Sequence, residues 1–127
     1  THTAGDSAFY RPSTDAITLP KRSQFAATAK YYSTAFHELT HSTGHSKRLN
    51  RLSETAFFGS GAHSKEELNA EIGAAALVNH VGLETSHSLR NSAAYIQNWL
   101  AVLKNDKRFI VSASGKADKA ISLILGC

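Results

Sequence analysis

With 127 residues, 42% of them hydrophobic and only two proline, the chain suits one folded domain (1–127) with its own core and excludes a disordered segment. A net charge of +4 is too modest to single out nucleic acid as a partner. No apolar run approaches the roughly 18 residues of a membrane span, and no signal peptide opens the chain. The one cysteine, Cys127, excludes an internal disulfide and fits a reducing compartment; any tetrahedral zinc would have to be held by His, Glu or Asp.

Thr1-His2-Thr3 carries no initiator Met, and the chain reads as part of a longer protein. Ala8–Arg11 and Ala16–Leu19 read as two short strands around Pro12-Ser13-Thr14-Asp15, a turn by composition, with Pro20 ending the second. Such a hairpin could wall a substrate groove and offer an edge to an extended peptide.

From Phe25 onward a helix is expected. Ala29, Tyr32, Phe36 and Leu39 recur at helical spacing on one side. His37-Glu38-Leu39-Thr40-His41 is HExxH, and its histidines fall on a different stripe. The four-residue step from His37 to His41 is slightly more than one turn, so both imidazoles project from one face and can hold one Zn²⁺. Glu38, next to the first ligand, is placed to take a proton from the attacking water as general base. Gly44 stands where a left-handed residue after the helix is expected.

His45 to His63, with Gly59-Ser60-Gly61, reads mostly as loop with Phe57 and Phe58 tucked inward. A second helix is expected from Ser64, where Ser64-Lys65-Glu66-Glu67 has a capping-box pattern, to about Val81, with Gly82 as terminator. A third spans Ser88 to Lys104, and a last one runs from Ile110 or Ser114 to Leu125, its start weakened by Gly115. Lys47, Arg48 and Arg51, and later Lys104, Lys107 and Arg108, form basic clusters that are read as solvated faces rather than as a nucleic-acid surface.

Two histidines leave zinc short of a protein ligand. Gly44 fits the extended pattern HExxHxxGxxH, but Lys47 occupies its last position, and His45 is out of register. The better source is the second helix, where Glu67 and Glu71 lie one turn apart on one face, so that one can bind metal while the other accepts an N–H from a ligand imidazole. This resembles the ExxxD element of zincins whose third ligand is a Glu from a following helix. Carried over, Glu67 binds metal and Glu71 supports it; because Glu replaces that Asp, Glu71 as ligand is the alternative. Glu66 reads as a solvated first-turn acid.

Ala8-Phe9-Tyr10, Asp15 to Pro20, Tyr31-Tyr32, the run 37–45, Arg48-Leu49-Asn50-Arg51, Glu66 to Glu71, and Ala94-Tyr95-Ile96 with Trp99-Leu100 together resemble one family. It is the zincin-like metallopeptidase domain of ArdC-type antirestriction proteins, found also in plasmid and phage polyvalent proteins and TraC-like primases. The resemblance implies an α+β fold, mostly helical, with a small N-terminal hairpin packed on the HExxH helix. It implies a zinc-dependent peptidase acting on a protein or peptide, in a bacterial, cytoplasmic, mobile-element-encoded protein that shields incoming DNA from host restriction components. Single-stranded DNA would be bound by a preceding domain. Tyr95, which the family pattern keeps, and His45 are the candidates for contacting the transition state or substrate, with a core residue whose hydroxyl is satisfied as the alternative for Tyr95. A domain of this fold that holds metal and a host protein or nucleic acid without cutting is the rival reading.

Overall fold

A computed structural model describes residues 1–52, 61–83, 86–104 and 106–126. The expected Phe57 and Phe58 lie outside these. The strands are β1 (His2–Thr3), β2 (Phe9–Arg11) and β3 (Ala16–Pro20), followed by a single 3₁₀ turn, Arg22–Gln24. The helices are α1 (Thr28–Ser42), α2 (Gly61–His80), α3 (Ser86–Val102) and α4 (Lys107–Leu125). This is the mostly helical α+β architecture that the sequence implies.

The hairpin forms as expected, with Phe9, Tyr10 and Arg11 facing Thr18, Ile17 and Ala16 in antiparallel register. The turn is closed by Asp15 at φ 50°, a left-handed geometry that Asp tolerates better than most residues. The unexpected element is β1, which adds in parallel to the other edge of β3 and gives the order β1-β3-β2. Pro20 does not end β3 but belongs to it. Its missing N–H costs no sheet bond, because the ladder to β1 is made by Leu19 N–H to the Thr1 carbonyl and Lys21 N–H to the Thr3 carbonyl.

The aromatic side of α1 explains how this sheet meets the helix. Phe25 and Tyr32 both contact the Tyr31 ring edge-on, and Tyr32 continues to Phe36. His2 of β1 stacks on Tyr31, with its Nε2 2.6 Å from the Tyr31 hydroxyl. The helix therefore turns its aromatic stripe to the N-terminal region and leaves the His-Glu-His stripe free for α2.

Helix α2 is the centre of the molecule. Ser64, Leu68, Asn69, Ala70, Ala74, Leu77 and Val78 are all buried, because α1, α3 and α4 all pack on it. Toward α3 and α4 it presents Leu68, which meets Leu103 and Ala113 with Ile72, Ile96, Trp99, Leu100 and Phe109 around them. Toward α1 it presents Gly73, where a Cβ would stand 2.7 Å from Thr40 Oγ1. Only glycine permits that approach. Gly82, at φ 77°, lies just past the end of α2 as expected.

Several boundaries differ from the sequence reading: α1 begins at Thr28 rather than at Phe25, and α3 spans Ser86–Val102 rather than Ser88 to Lys104. Gly44 is not left-handed: α1 ends at Ser42 with Thr43 as its cap in ordinary helical geometry, and Gly44 serves through its missing side chain, since a Cβ there would meet Leu52 Cγ at 2.8 Å. Helix α2 starts at Gly61, one turn earlier than the capping-box pattern suggests. Helix α4 starts at Lys107, capped by the Asp106 carboxylate accepting from Arg108 N–H, and runs through Gly115 to a left-handed Gly126.

Candidate metal centre

The packing of α1 on α2 brings Glu67 against two histidines that lie 30 and 26 residues before it in the sequence. His37 Nε2 lies 3.1 Å from His41 Nε2 and 3.1 Å from Glu67 Oε2, and His41 Nε2 lies 3.0 Å from Glu67 Oε1. Among the described residues this trio is the group of His, Cys, Asp and Glu that could hold an ion.

The outer ring nitrogens decide what the inner ones can do. His37 Nδ1 donates to Glu71 Oε1 at 2.9 Å, and His41 Nδ1 donates to Glu66 Oε2 at 2.8 Å. With both Nδ1 hydrogens so engaged, neutral rings point two Nε2 lone pairs and a carboxylate at one spot, which only a cation makes favourable. Tetrahedral ligands at the usual zinc distances stand about 3.3 Å apart, close to the spacing seen here. The donor set therefore fits a divalent ion. Imidazole and carboxylate ligands suit several metals, so the geometry does not choose among them.

The electrostatics agree. Burial alone would push the His37 imidazole down, but hydrogen bonds to Glu67 and Glu71 outweigh it and raise its pKa to about 10. His41 is likewise carried against burial to about 9 by Glu66 and Glu67. Glu67 moves the opposite way, held far below the usual carboxylate range by the two imidazoles despite its burial. A metal-free site thus keeps protons where a cation would sit.

Glu38 is buried on the same stripe of α1, and its Oε2 is one of three buried side-chain atoms among the described residues with no hydrogen-bond partner. Burial pushes its carboxyl pKa up, against the pull of His37 and His41. An orphaned carboxylate beside a candidate cation site is placed to accept a proton and return it.

These groups floor an open cavity of about 470 Å³. Phe9 and Tyr10 of the hairpin form one wall, and Leu52, His63 and Trp99 line the rest. Tyr10 donates its hydroxyl to Asp15 Oδ1 at 2.7 Å, and Arg48 pairs with the same carboxylate, so the wall is fastened to the segment that follows α1.

The structure brings together His37, Glu38, His41 and Glu67, with Glu71 against the outer nitrogen of His37 rather than among the converging atoms. Two expected residues are elsewhere. Tyr95 does not line the cavity and is 55% exposed on α3, since that helix turns Ile96, Trp99 and Leu100 inward. His45 also stays outside the cavity lining, and its Nδ1 accepts from Lys47 N–H in the turn after α1. Glu66 is not a solvated acid: it is buried and bonded to His41 and Arg51. Arg51 accordingly leaves the exposed basic cluster.

The sequence reading missed His63, which lines the cavity and meets Trp99 edge-on at 5.7 Å. Its signal was available: His63 and Glu67 are four residues apart, on one face once α2 is extended back to Gly61.

Residues 1–116 match the family model described as a zincin-like metallopeptidase. Two Escherichia coli proteins named DNA primase TraC are 44% and 43% identical to the chain over 98% of its length. The chain spans only 8% and 11% of those relatives. Crystal structures of the antirestriction protein ArdC from a plasmid also match. The metal-free form has a TM-score of 0.74 at 41% identity, and the Mn(II)-bound form 0.77 at 40%. Both matches cover 98% of this chain and under half of the ArdC chain, 44% and 46%.

Proposed function

The chain belongs to the zincin-like metallopeptidase family, and from that premise we propose that it hydrolyses a peptide bond with a divalent cation held by His37, His41 and Glu67. The observation that carries this reading is the convergence of two imidazole Nε2 atoms and a carboxylate beside the buried Glu38, whose Oε2 has no hydrogen-bond partner. When bound, the cation supplies Lewis acidity toward the scissile carbonyl and toward water. Glu38 takes the proton of the attacking water and returns it to the leaving amine. Glu71 and Glu66 keep the two imidazoles turned inward by accepting from their outer nitrogens. The hairpin wall and Trp99 would flank the reacting bond. Zn²⁺ suits the ligand set, and the Mn(II)-bound ArdC structure makes Mn²⁺ the alternative.

At the level of the whole protein the proposed role is antirestriction, with this domain as its hydrolytic part, host restriction components as the protein partner, and single-stranded DNA held by another region. The resemblance to ArdC supports that assignment.

The test is Glu38→Gln. Equilibrium dialysis should show the variant holding Zn²⁺ or Mn²⁺ as tightly as the wild type, while metal-dependent fragments of host restriction components disappear. Cleavage retained by Glu38→Gln removes Glu38 from the reaction. Absence of fragments with wild-type protein under either metal overturns hydrolysis of these components and favours a domain that holds metal and a partner without cutting.

A further inference from the structure

His41 is reached from outside by a chain of contacts that loops back to its own helix. Its Nδ1 lies 2.8 Å from Glu66 Oε2. Arg51 Nε donates to Glu66 Oε1 at 3.0 Å and Arg51 Nη2 to Glu66 Oε2 at 3.1 Å, a two-point grip on one carboxylate. The same guanidinium donates through Nη2 to the Thr40 carbonyl at 2.9 Å and through Nη1 to Thr43 Oγ1 at 2.8 Å. Asn69 Nδ2 adds a contact to Glu66 Oε1 at 3.3 Å. Glu66 and His41 are both buried.

We infer that Arg51 and Glu66 are positioning residues that fix the ring of His41 with its Nε2 toward the cation site. Like the proposed function, this takes His41 to be a metal ligand. A carboxylate is an acceptor only, and with Arg51 donating to both of its oxygens it has no freedom to rotate. The hydrogen between Glu66 and His41 therefore belongs to His41 Nδ1, which leaves Nε2 as the ligand atom. Because Arg51 also grips the Thr40 carbonyl and Thr43 Oγ1, the same guanidinium ties Glu66 of α2 to the last turn of α1, the turn that carries His41. His37 has no such device: Glu71 accepts from its Nδ1, and among the described residues no cation is bonded to Glu71. The two ligand imidazoles of one motif are thus held with different stiffness.

The test uses Arg51→Gln, Glu66→Gln and Arg51→Lys, with Zn²⁺ as the diamagnetic probe. In the metal-free wild type, long-range ¹H–¹⁵N correlation should show a downfield, slowly exchanging His41 Nδ1–H. In Arg51→Gln and Glu66→Gln that signal should weaken or vanish while the His37 signal persists. Zn²⁺ affinity measured by chelator competition should fall about 10–100-fold. Arg51→Lys keeps the charge but loses the fork, so it should recover only part of the affinity. Circular dichroism identifies any variant that has unfolded, in which case the Lys variant and the wild-type His41 signal decide. Unchanged Zn²⁺ affinity and an unchanged His41 Nδ1–H in folded variants would overturn the positioning role. A wild type that binds Zn²⁺ no better than its His37→Ala variant would instead sink the metal site, and the metal-free signal would still report on Arg51 and Glu66.

Discussion

Helix α2 has two seams built on opposite rules. Toward α1 it is polar and directional: Glu66, Glu67 and Glu71 meet two imidazoles at 2.8 to 3.1 Å, and the backbones approach through Gly73. Toward α3 and α4 it is apolar and tolerant of shape, with Leu68 against Leu103 and Ala113, and with Ala117 and Ala120 also buried along α4. The outer faces of these helices even expose Tyr95, Val102 and Val111. One seam holds the candidate metal site and the other packs the helices that frame it, so damage to each should be read out differently.

The largest separation should come from His41→Ala, which removes one of three proposed ligands. Metal affinity should fall roughly a thousandfold by competition titration, with secondary structure kept. Proton competition should act on the same seam. The folded-state values of about 10 and 9 for His37 and His41 lie above the ordinary histidine value. Their contribution to metal-free stability is therefore full below about pH 6.5 and is lost as pH rises through those folded values. A cation must displace these protons, so its affinity should rise by about tenfold per pH unit for each proton released. Melting curves with and without Mn²⁺ should show a larger metal-induced shift at pH 8.5 than at about pH 6; an equal shift would contradict the competition.

Leu68→Ala attacks the other seam and should cost about 2–5 kcal/mol in urea unfolding. Gly73→Ala tests the polar seam without touching a ligand, and its overpacking against Thr40 should cost about 1–3 kcal/mol. By contrast Gly115, inside α4 with open space where a Cβ would go, should accept alanine with a gain of up to about 1 kcal/mol. Val111→Ser, at a position 71% exposed, should move stability by no more than about 0.5 kcal/mol. Equal losses at Gly73 and Gly115 would erase the contrast between the seams.

What could be read from sequence followed its range along the chain. His37, Glu38 and His41 were legible because four-residue spacing on a helix is a local property, and Glu67 and Glu71 were legible as a pair for the same reason. Glu66 was misread because its burial depends on Arg51, which is fifteen residues away and arrives from a turn. The capping-box reading also placed it one turn too near the helix start, and the same error hid His63. Gly44 shows a different blindness: composition cannot distinguish a glycine needed for its backbone angle from one needed for lack of a side chain. Strand β1, two residues long, offers no alternation to detect. Tyr95 was singled out by resemblance, and the face that α3 turns inward was settled by Trp99 and Ile96 instead.

The Tyr10–Asp15–Arg48 fastening is the more exposed of the two polar clusters: the Asp15 and Arg48 side chains are 36% and 32% exposed, against 7–17% for His37, His41, Glu66, Glu67 and Glu71. Dissolved electrolyte weakens exposed ion pairs far more than buried ones. The cavity wall and the candidate metal centre therefore answer to different conditions: brine should loosen the wall while leaving the imidazole–carboxylate contacts largely intact.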